Sequence, residues 1–149
     1  PAMPDAVKFM SQAADTAVTL TGLDHVVLRV ASLERAVQFY GTVLGCPIER
    51  ELQEPRLVQL RAGTSMIDLV PCEPGDTPGM SMGGRNMDHY AVRVARMDVP
   101  ALTAHLAKHG IDAGEVRRRY GAEGYGSSIY ITDPDGNTVE LKGPPETAA

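Results

Sequence analysis

Two histidines in this 149-residue chain stand in the same nine-residue setting. His25 lies in Leu23-Asp24-His25-Val26-Val27-Leu28-Arg29-Val30-Ala31, and His89, 64 positions later, lies in Met87-Asp88-His89-Tyr90-Ala91-Val92-Arg93-Val94-Ala95. Asp, His, Arg, Val and Ala recur at the same places and the other positions stay apolar or aromatic, the mark of an internal repeat. A carboxylate follows at a matching place in each copy: Asp68 in Met66-Ile67-Asp68-Leu69 and Glu140 in Thr138-Val139-Glu140-Leu141. Two neutral imidazoles with one or two carboxylates suit a borderline or moderately hard divalent ion, Ni, Zn, Mn, Fe or Co, and leave coordination positions open for substrate. Such an ion acts as a Lewis acid on two neighbouring substrate oxygens. A carboxylate beside it, Glu140 or Asp68, can then move a proton. His25, His89 and Glu140 are the expected metal ligands. Asp68, a methylene shorter than Glu, is expected either to complete the set or to stop short and hold a water or a neighbouring group.

These side chains meet only if the elements around them correspond. Alternation makes each nonapeptide a strand, with Leu23, His25, Val27 and Arg29 on one face. In the first copy Ser32 is predicted to cap a helix carrying Leu33, Ala36, Val37, Tyr40 and Leu44, which Gly45 ends. In the second, Asp98 is the predicted cap, Pro100 sits in the first turn, Leu102 and Leu106 form the apolar stripe and Gly110 terminates. Three β segments are predicted after each helix: 48–53, 56–61 and 65–70, then 114–119, 127–132 and 138–142, with Asp133-Pro134-Asp135-Gly136-Asn137 as a hairpin turn. The fold class is therefore α+β, two tandem βαβββ modules forming curled mixed sheets around a metal-binding cup, with the last strand of each module beside its first. The expected division is 1–21 as an N-terminal extension with a candidate outer helix on Val7, Met10, Ala14 and Val18, 22–71 as the first module, 72–86 as a Pro-, Gly- and Met-rich linker, 87–143 as the second module and 144–149 as a tail.

The net charge of -5, with basic residues scattered outside Arg117-Arg118-Arg119, offers no face to a polyanion, so nucleic acid is not an expected partner. No apolar run reaches the roughly 18 residues of a membrane span and no leader pattern is evident, so a cytoplasmic protein without membrane contact is expected. Cys46 and Cys72 lack CxxC spacing and are read as reduced thiols. His105 and His109 share a helix face without the Glu of a metalloprotease helix and are read as solvated. The glycine-rich segment 121–126 precedes a strand, which argues against a phosphate cradle and for a mobile loop. Its Glu123 and Tyr125 are candidates to reach a ligand at the mouth of the cup. Arg119, from the arginine run, is a candidate partner for a substrate carboxylate or phosphonate, and Tyr130 is a further substrate-binding candidate.

Leu23-Asp24-His25-Val26, Phe39-Tyr40, Val43-Leu44-Gly45, Met87-Asp88-His89, Ser128-Ile129-Tyr130 and Asp133 through Leu141 together resemble the vicinal oxygen chelate superfamily over residues 22 to 143. It includes glyoxalase I, extradiol dioxygenases, methylmalonyl-CoA epimerase, fosfomycin-resistance enzymes and bleomycin-binding proteins. The resemblance implies a glyoxalase-like fold, a divalent metal on His25, His89 and Glu140, and a small substrate with adjacent oxygens. It also implies a homodimer, and in some members the cup is shared between subunits. Asp68 stands where glyoxalase I has a Glu ligand. The expected activity is a metal-dependent lyase or isomerase of the glyoxalase type. The alternatives are an extradiol (catechol) dioxygenase, a fosfomycin-type epoxide-opening enzyme and a non-catalytic small-molecule-binding protein.

Overall fold

A computed structural model describes residues 17–73, 86–132 and 136–147. The first repeat forms β1 (Leu20–Val30), α1 (Leu33–Val37) with a π-helical continuation (Gln38–Val43), β2 (Ile48–Gln53), β3 (Arg56–Ala62) and β4 (Ser65–Pro71). The second forms β5 (Met87–Val94), α2 (Val99–Lys108), β6 (Arg117–Gly121), β7 (Gly124–Thr132) and β8 (Thr138–Lys142).

Both helix starts follow from their caps. Ser32 accepts from the Arg35 N–H and Asp98 Oδ1 from the Ala101 N–H at 3.1 Å, each satisfying an orphan donor of the first turn. Gly45 and Gly110 take positive φ after each helix, which residues with a Cβ resist. In the π-helical turns the Leu44 N–H reaches the carbonyl of Phe39, five residues back.

The eight strands make one sheet in the order β2-β3-β4-β1-β5-β8-β7-β6. As expected, each repeat lays its last strand beside its first, β4 beside β1 and β8 beside β5, and both pairs are parallel. The two first strands pair antiparallel at the centre, with His25 opposite Ala91 and Val27 opposite His89, so the halves are related by a pseudo-twofold axis. On one face α1 covers Leu33, Val58, Leu60 and Leu69, while α2 covers Val92, Val94, Leu102, Leu106, Ile129, Val139 and Leu141. Each such side chain stabilises the fold by about 1.5–3 kcal/mol on burial. The sheet curls until its edges meet: Arg50 of β2 donates to the Tyr125 hydroxyl at 2.7 Å and lies over the Tyr120 ring at 4.6 Å.

Two expectations need correction. The sixth strand runs over Arg117–Gly121 rather than 114–119, and the glycine-rich segment is no loop. Tyr120 pairs with Tyr125 and Gly121 with Gly124, leaving Ala122 and Glu123 as a two-residue turn whose Gly124 takes φ +105°. Glycines in series were read as slack, whereas here they permit a tight hairpin packed against Asp24 and Lys142. The helix proposed on Val7 to Val18 lies largely outside the described residues, as do most of the 72–86 segment and Asp133 to Asp135 of the proposed turn. Cys46 is a free thiol. Among the described residues no helix is long and apolar enough to cross a membrane.

Candidate metal centre

Pairing across the central strands determines which side chains become neighbours. One row of the sheet runs Met66, His25, Ala91, Glu140, Tyr130, and a matching row runs Gln59, Asp68, Val27, His89. In the first row only the methyl of Ala91 stands between His25 and Glu140, and His25 Nε2 reaches Glu140 Oε2 at 3.1 Å. His89 Nε2 approaches the same oxygen at 3.2 Å, and the two rings meet edge to face with centroids 5.5 Å apart. Ligand atoms of His25, His89 and Glu140 all lie within 4.8 Å of one another, in a single chain. The second row places the branched side chain of Val27 and a shorter carboxylate between the corresponding partners. Asp68 accordingly stands outside the three-residue group, where Gln59 Nε2 donates to its Oδ2 at 2.8 Å.

Strict alternation does not hold around the histidines. The β1–β5 register slips between Leu23 and His25, making Asp24 the extra residue on β1, and again where His89 and Met87 flank Asp88 on β5. Each slip is a β-bulge, which re-aims a side chain. Leu23 is thereby left on the solvent side, 62% exposed, rather than sharing the face of His25. Asp24 and Asp88 instead hold the Nδ1 atoms of His25 and His89, both at 2.7 Å.

These contacts set the electrostatics. Burial opposes the charge of His25, but hydrogen bonds with Asp24 and Glu140 outweigh it and raise its pKa to about 10. His89 is raised in the same way, burial being overcome by Asp88 and Glu140. Burial alone would push Glu140 up, yet the two imidazoles bring it down to about 2. Asp68, with far weaker compensation, is raised by burial. Two carboxylates in one site are thus pushed apart, the pattern that separates a permanently ionised group from one able to carry a proton.

The group forms the floor of a cavity of about 530 Å³ with apolar walls that include Val27, Leu52, Leu57 and Val70. Arg119 and Tyr130 line it, the guanidinium stacking 4.1 Å over the Tyr130 ring and donating to Ser128 Oγ at 2.8 Å. Glu123 and Tyr125 do not. They flank a hollow at the β6–β7 turn that shares Arg118 with the cavity, and Tyr125 packs behind the wall, its hydroxyl accepting from Arg50 and its ring lying under Arg118. Arg117 and Arg118 are exposed and paired with Glu115 and Glu146. Sequence reasoning missed Asp24, Asp88, Gln59 and Arg50. The signal for the first two was present, since Asp precedes His in both copies of the repeat. Nothing local marks Gln59 or Arg50, which reach the site through strand pairing.

A divalent ion fits these residues. Glu140 Oε1 is buried with no hydrogen-bond partner, and both imidazoles have Nδ1 engaged so that Nε2 faces inward. The set is two nitrogens and a carboxylate, with room left on the cavity side.

Residues 22–141 match the model of the Glyoxalase/Bleomycin resistance protein/Dioxygenase superfamily. The chain is 29% identical over 125 residues to Catechol-2,3-dioxygenase of Bacillus subtilis (strain 168), a match covering 81% of this chain but 41% of that protein's length. It is 29% identical over 124 residues to Glutathione transferase FosA of Serratia marcescens, covering 82% of this chain and 80% of the relative. Among solved structures, methylmalonyl-CoA epimerase from Mycobacterium tuberculosis superposes with a TM-score of 0.62 at 25% identity, over 85% of this chain and 90% of that one.

Proposed function

The chain belongs to the Glyoxalase/Bleomycin resistance protein/Dioxygenase superfamily, and from that premise we propose that it is a metal-dependent lyase or isomerase of the glyoxalase type, acting on a small substrate with adjacent oxygens. The observation that supports this reading is the pair of carboxylates with opposite behaviour in one cavity: Glu140 held ionised between two imidazoles, and Asp68 buried in the wall with its pKa raised. A divalent ion on His25, His89 and Glu140 supplies Lewis-acid stabilisation of the charge that develops on the substrate oxygens.

The chain's own residues do the rest. Asp68 takes a proton from the carbon next to those oxygens and returns it to the neighbouring carbon or to the opposite face. Its raised pKa brings it toward the operating range of a general acid–base group. Gln59 fixes Oδ2 and leaves Oδ1, buried and without a partner, for the transfer. Tyr130, whose hydroxyl lies 3.5 Å from His89 Nε2, borders the reacting end. Arg50 and Arg119 line the cavity and, among the described residues, donate to a tyrosine hydroxyl and to serine oxygens rather than to a carboxylate, so an anionic group on the substrate would meet two guanidiniums. The exposed Phe39, Val43, Leu44 and Ile48 supply an apolar face for the proposed homodimer.

Hemithioacetal isomerisation is the first assay, run with Ni²⁺, Zn²⁺ or Mn²⁺ added to metal-free protein. Turnover that Asp68→Asn abolishes supports the reading, and no turnover with any ion removes this reaction. Oxygen uptake with catechols would move the protein to the dioxygenases, and thiol addition to an epoxide to the epoxide-opening class. Stoichiometric ligand capture with no bound metal would make it a binding protein.

A further inference from the structure

Asp24 and Asp88 immediately precede the two imidazoles, and in a regular strand adjacent side chains point to opposite faces. Both carboxylates nevertheless lie 2.7 Å from the Nδ1 of the following histidine. The two bulges bring this about, and they occupy equivalent places in the two halves.

What holds each carboxylate comes from the other half. Arg29 of β1 donates through Nε and Nη2 to Asp88 Oδ2 at 3.0 and 2.8 Å. Arg93 of β5, the equivalent residue of the second repeat, brings its Nε to 3.4 Å from Asp24 Oδ2, an ion pair without a hydrogen bond between the two atoms. The antiparallel β1–β5 pairing makes this exchange reciprocal, so neither histidine–aspartate pair is complete within its own repeat. The pairs differ in rigidity. Asp88 is a third exposed, whereas Asp24 is buried and also accepts the Ala122 N–H at 2.8 Å. The hairpin comes that close because residue 121 is glycine: a Cβ there would lie 2.4 Å from Asp24 Oδ1.

We infer that Asp24 and Asp88 are positioning residues for the two metal-binding imidazoles, each aimed by a β-bulge and held by the arginine of the opposite repeat. An acceptor on Nδ1 keeps the hydrogen there and turns the Nε2 lone pair toward the point shared with Glu140. The inference rests on the metal reading above.

The test titrates Co²⁺ against a competing chelator with the wild type, Asp24→Asn, Asp88→Asn and Gly121→Ala, and records the visible Co²⁺ absorption and far-ultraviolet dichroism of each. Asparagine keeps the shape of the carboxylate and removes its charge. Each Asp→Asn change is expected to weaken binding by roughly 10- to 100-fold and to alter the absorption envelope, which depends on ligand geometry. Gly121→Ala, which replaces no ligand, is expected to weaken binding by displacing the Asp24 carboxylate. Arg29→Gln combined with Asp88→Asn is expected to be no worse than Asp88→Asn alone, because the two act as one unit. Should Asp24→Asn fail to fold, Asp88→Asn and Gly121→Ala decide. Wild-type affinity and an unchanged spectrum in folded Asp88→Asn and Gly121→Ala overturn the inference while leaving the metal reading standing. A wild type that binds no Co²⁺, Ni²⁺ or Zn²⁺ overturns both.

Discussion

Metal and proton compete for the same nitrogens, and the structure sets the terms. Both ring nitrogens of His25 lie within hydrogen-bond distance of carboxylates, Asp24 at 2.7 Å and Glu140 at 3.1 Å, which favours the imidazolium against burial and raises its pKa to about 10. An ion can use Nε2 only after a proton has left. At about pH 7 the site lies about three units below that pKa, so the proton weakens apparent metal affinity by about 1,000-fold, on the order of 4 kcal/mol. Affinity should therefore rise about tenfold per pH unit between about pH 6.5 and about pH 9 and level off near pH 10. His89 is raised as well, so the slope lies between one and two protons. Glu140, at about 2, is ionised throughout and adds nothing to it. Chelator competition across this range measures the slope. Calorimetry in two buffers of different ionisation enthalpy counts the protons released. A flat affinity profile, with no proton released near neutrality, would refute the reasoning, because it would mean that the imidazoles stand neutral before the metal arrives.

The same groups govern the stability of metal-free protein. The raised His25 contributes stability that is full below about pH 6.5 and lost as pH climbs toward 10, while Glu140 and Asp88, lowered to about 2, contribute stability lost as pH falls below their ordinary values. Urea midpoints should thus peak between about pH 5 and about pH 6.5 and shift upward in pH once metal is bound. Asp68→Asn should leave metal stoichiometry intact and cut turnover by about 10²–10⁴-fold, read by elemental analysis and steady-state kinetics on one preparation. Asp68→Glu with Val27→Ala should recreate in the second row the geometry of the first, and a tighter Co²⁺ complex with altered absorption is the expected readout. Leu60→Ala, at a fully buried position under α1, should cost about 2–5 kcal/mol in urea unfolding without moving the Co²⁺ spectrum.

Most of the architecture was legible because the repeat displays it twice. Strands 48–53, 56–61 and 65–70 differ by at most a residue at one end from β2, β3 and β4, and Ser32, Asp98, Gly45 and Gly110 mark helix ends that depend only on local backbone chemistry. The placement of β4 beside β1 and β8 beside β5 followed from asking how a histidine and a carboxylate of one unit could meet, while the parallel sense of both pairs did not. What escaped was everything set by register. Alternation assigned Leu23 to the face of His25, since a bulge arises from the pairing of two strands and leaves no mark on either alone. For the same reason Tyr125 and Glu123 were candidates for the mouth of the cup, whereas hairpin closure across Gly121 and Gly124 sets them around a neighbouring hollow, with Tyr125 against the wall residues Arg50 and Arg118. Arg50 belongs to an edge strand that meets the site only when the sheet curls.

Duplication brings two imidazoles together without dictating two equal carboxylates. Central antiparallel pairing sets Ala91 between His25 and Glu140, and Val27, its repeat equivalent, between His89 and Asp68. In one row a small residue and a long carboxylate give a contact of 3.1 Å; in the other a branched residue and a short carboxylate leave Asp68 to Gln59. Two differences at symmetry-related positions, a few atoms in all, therefore separate two otherwise equivalent carboxylates into the proposed ligand Glu140 and the proposed proton carrier Asp68. The cost falls on Asp68, whose burial raises its pKa, and in the proposed reaction that same shift suits it to proton transfer. In this fold the chemistry is chosen at the residues that separate the ligands as much as at the ligands themselves.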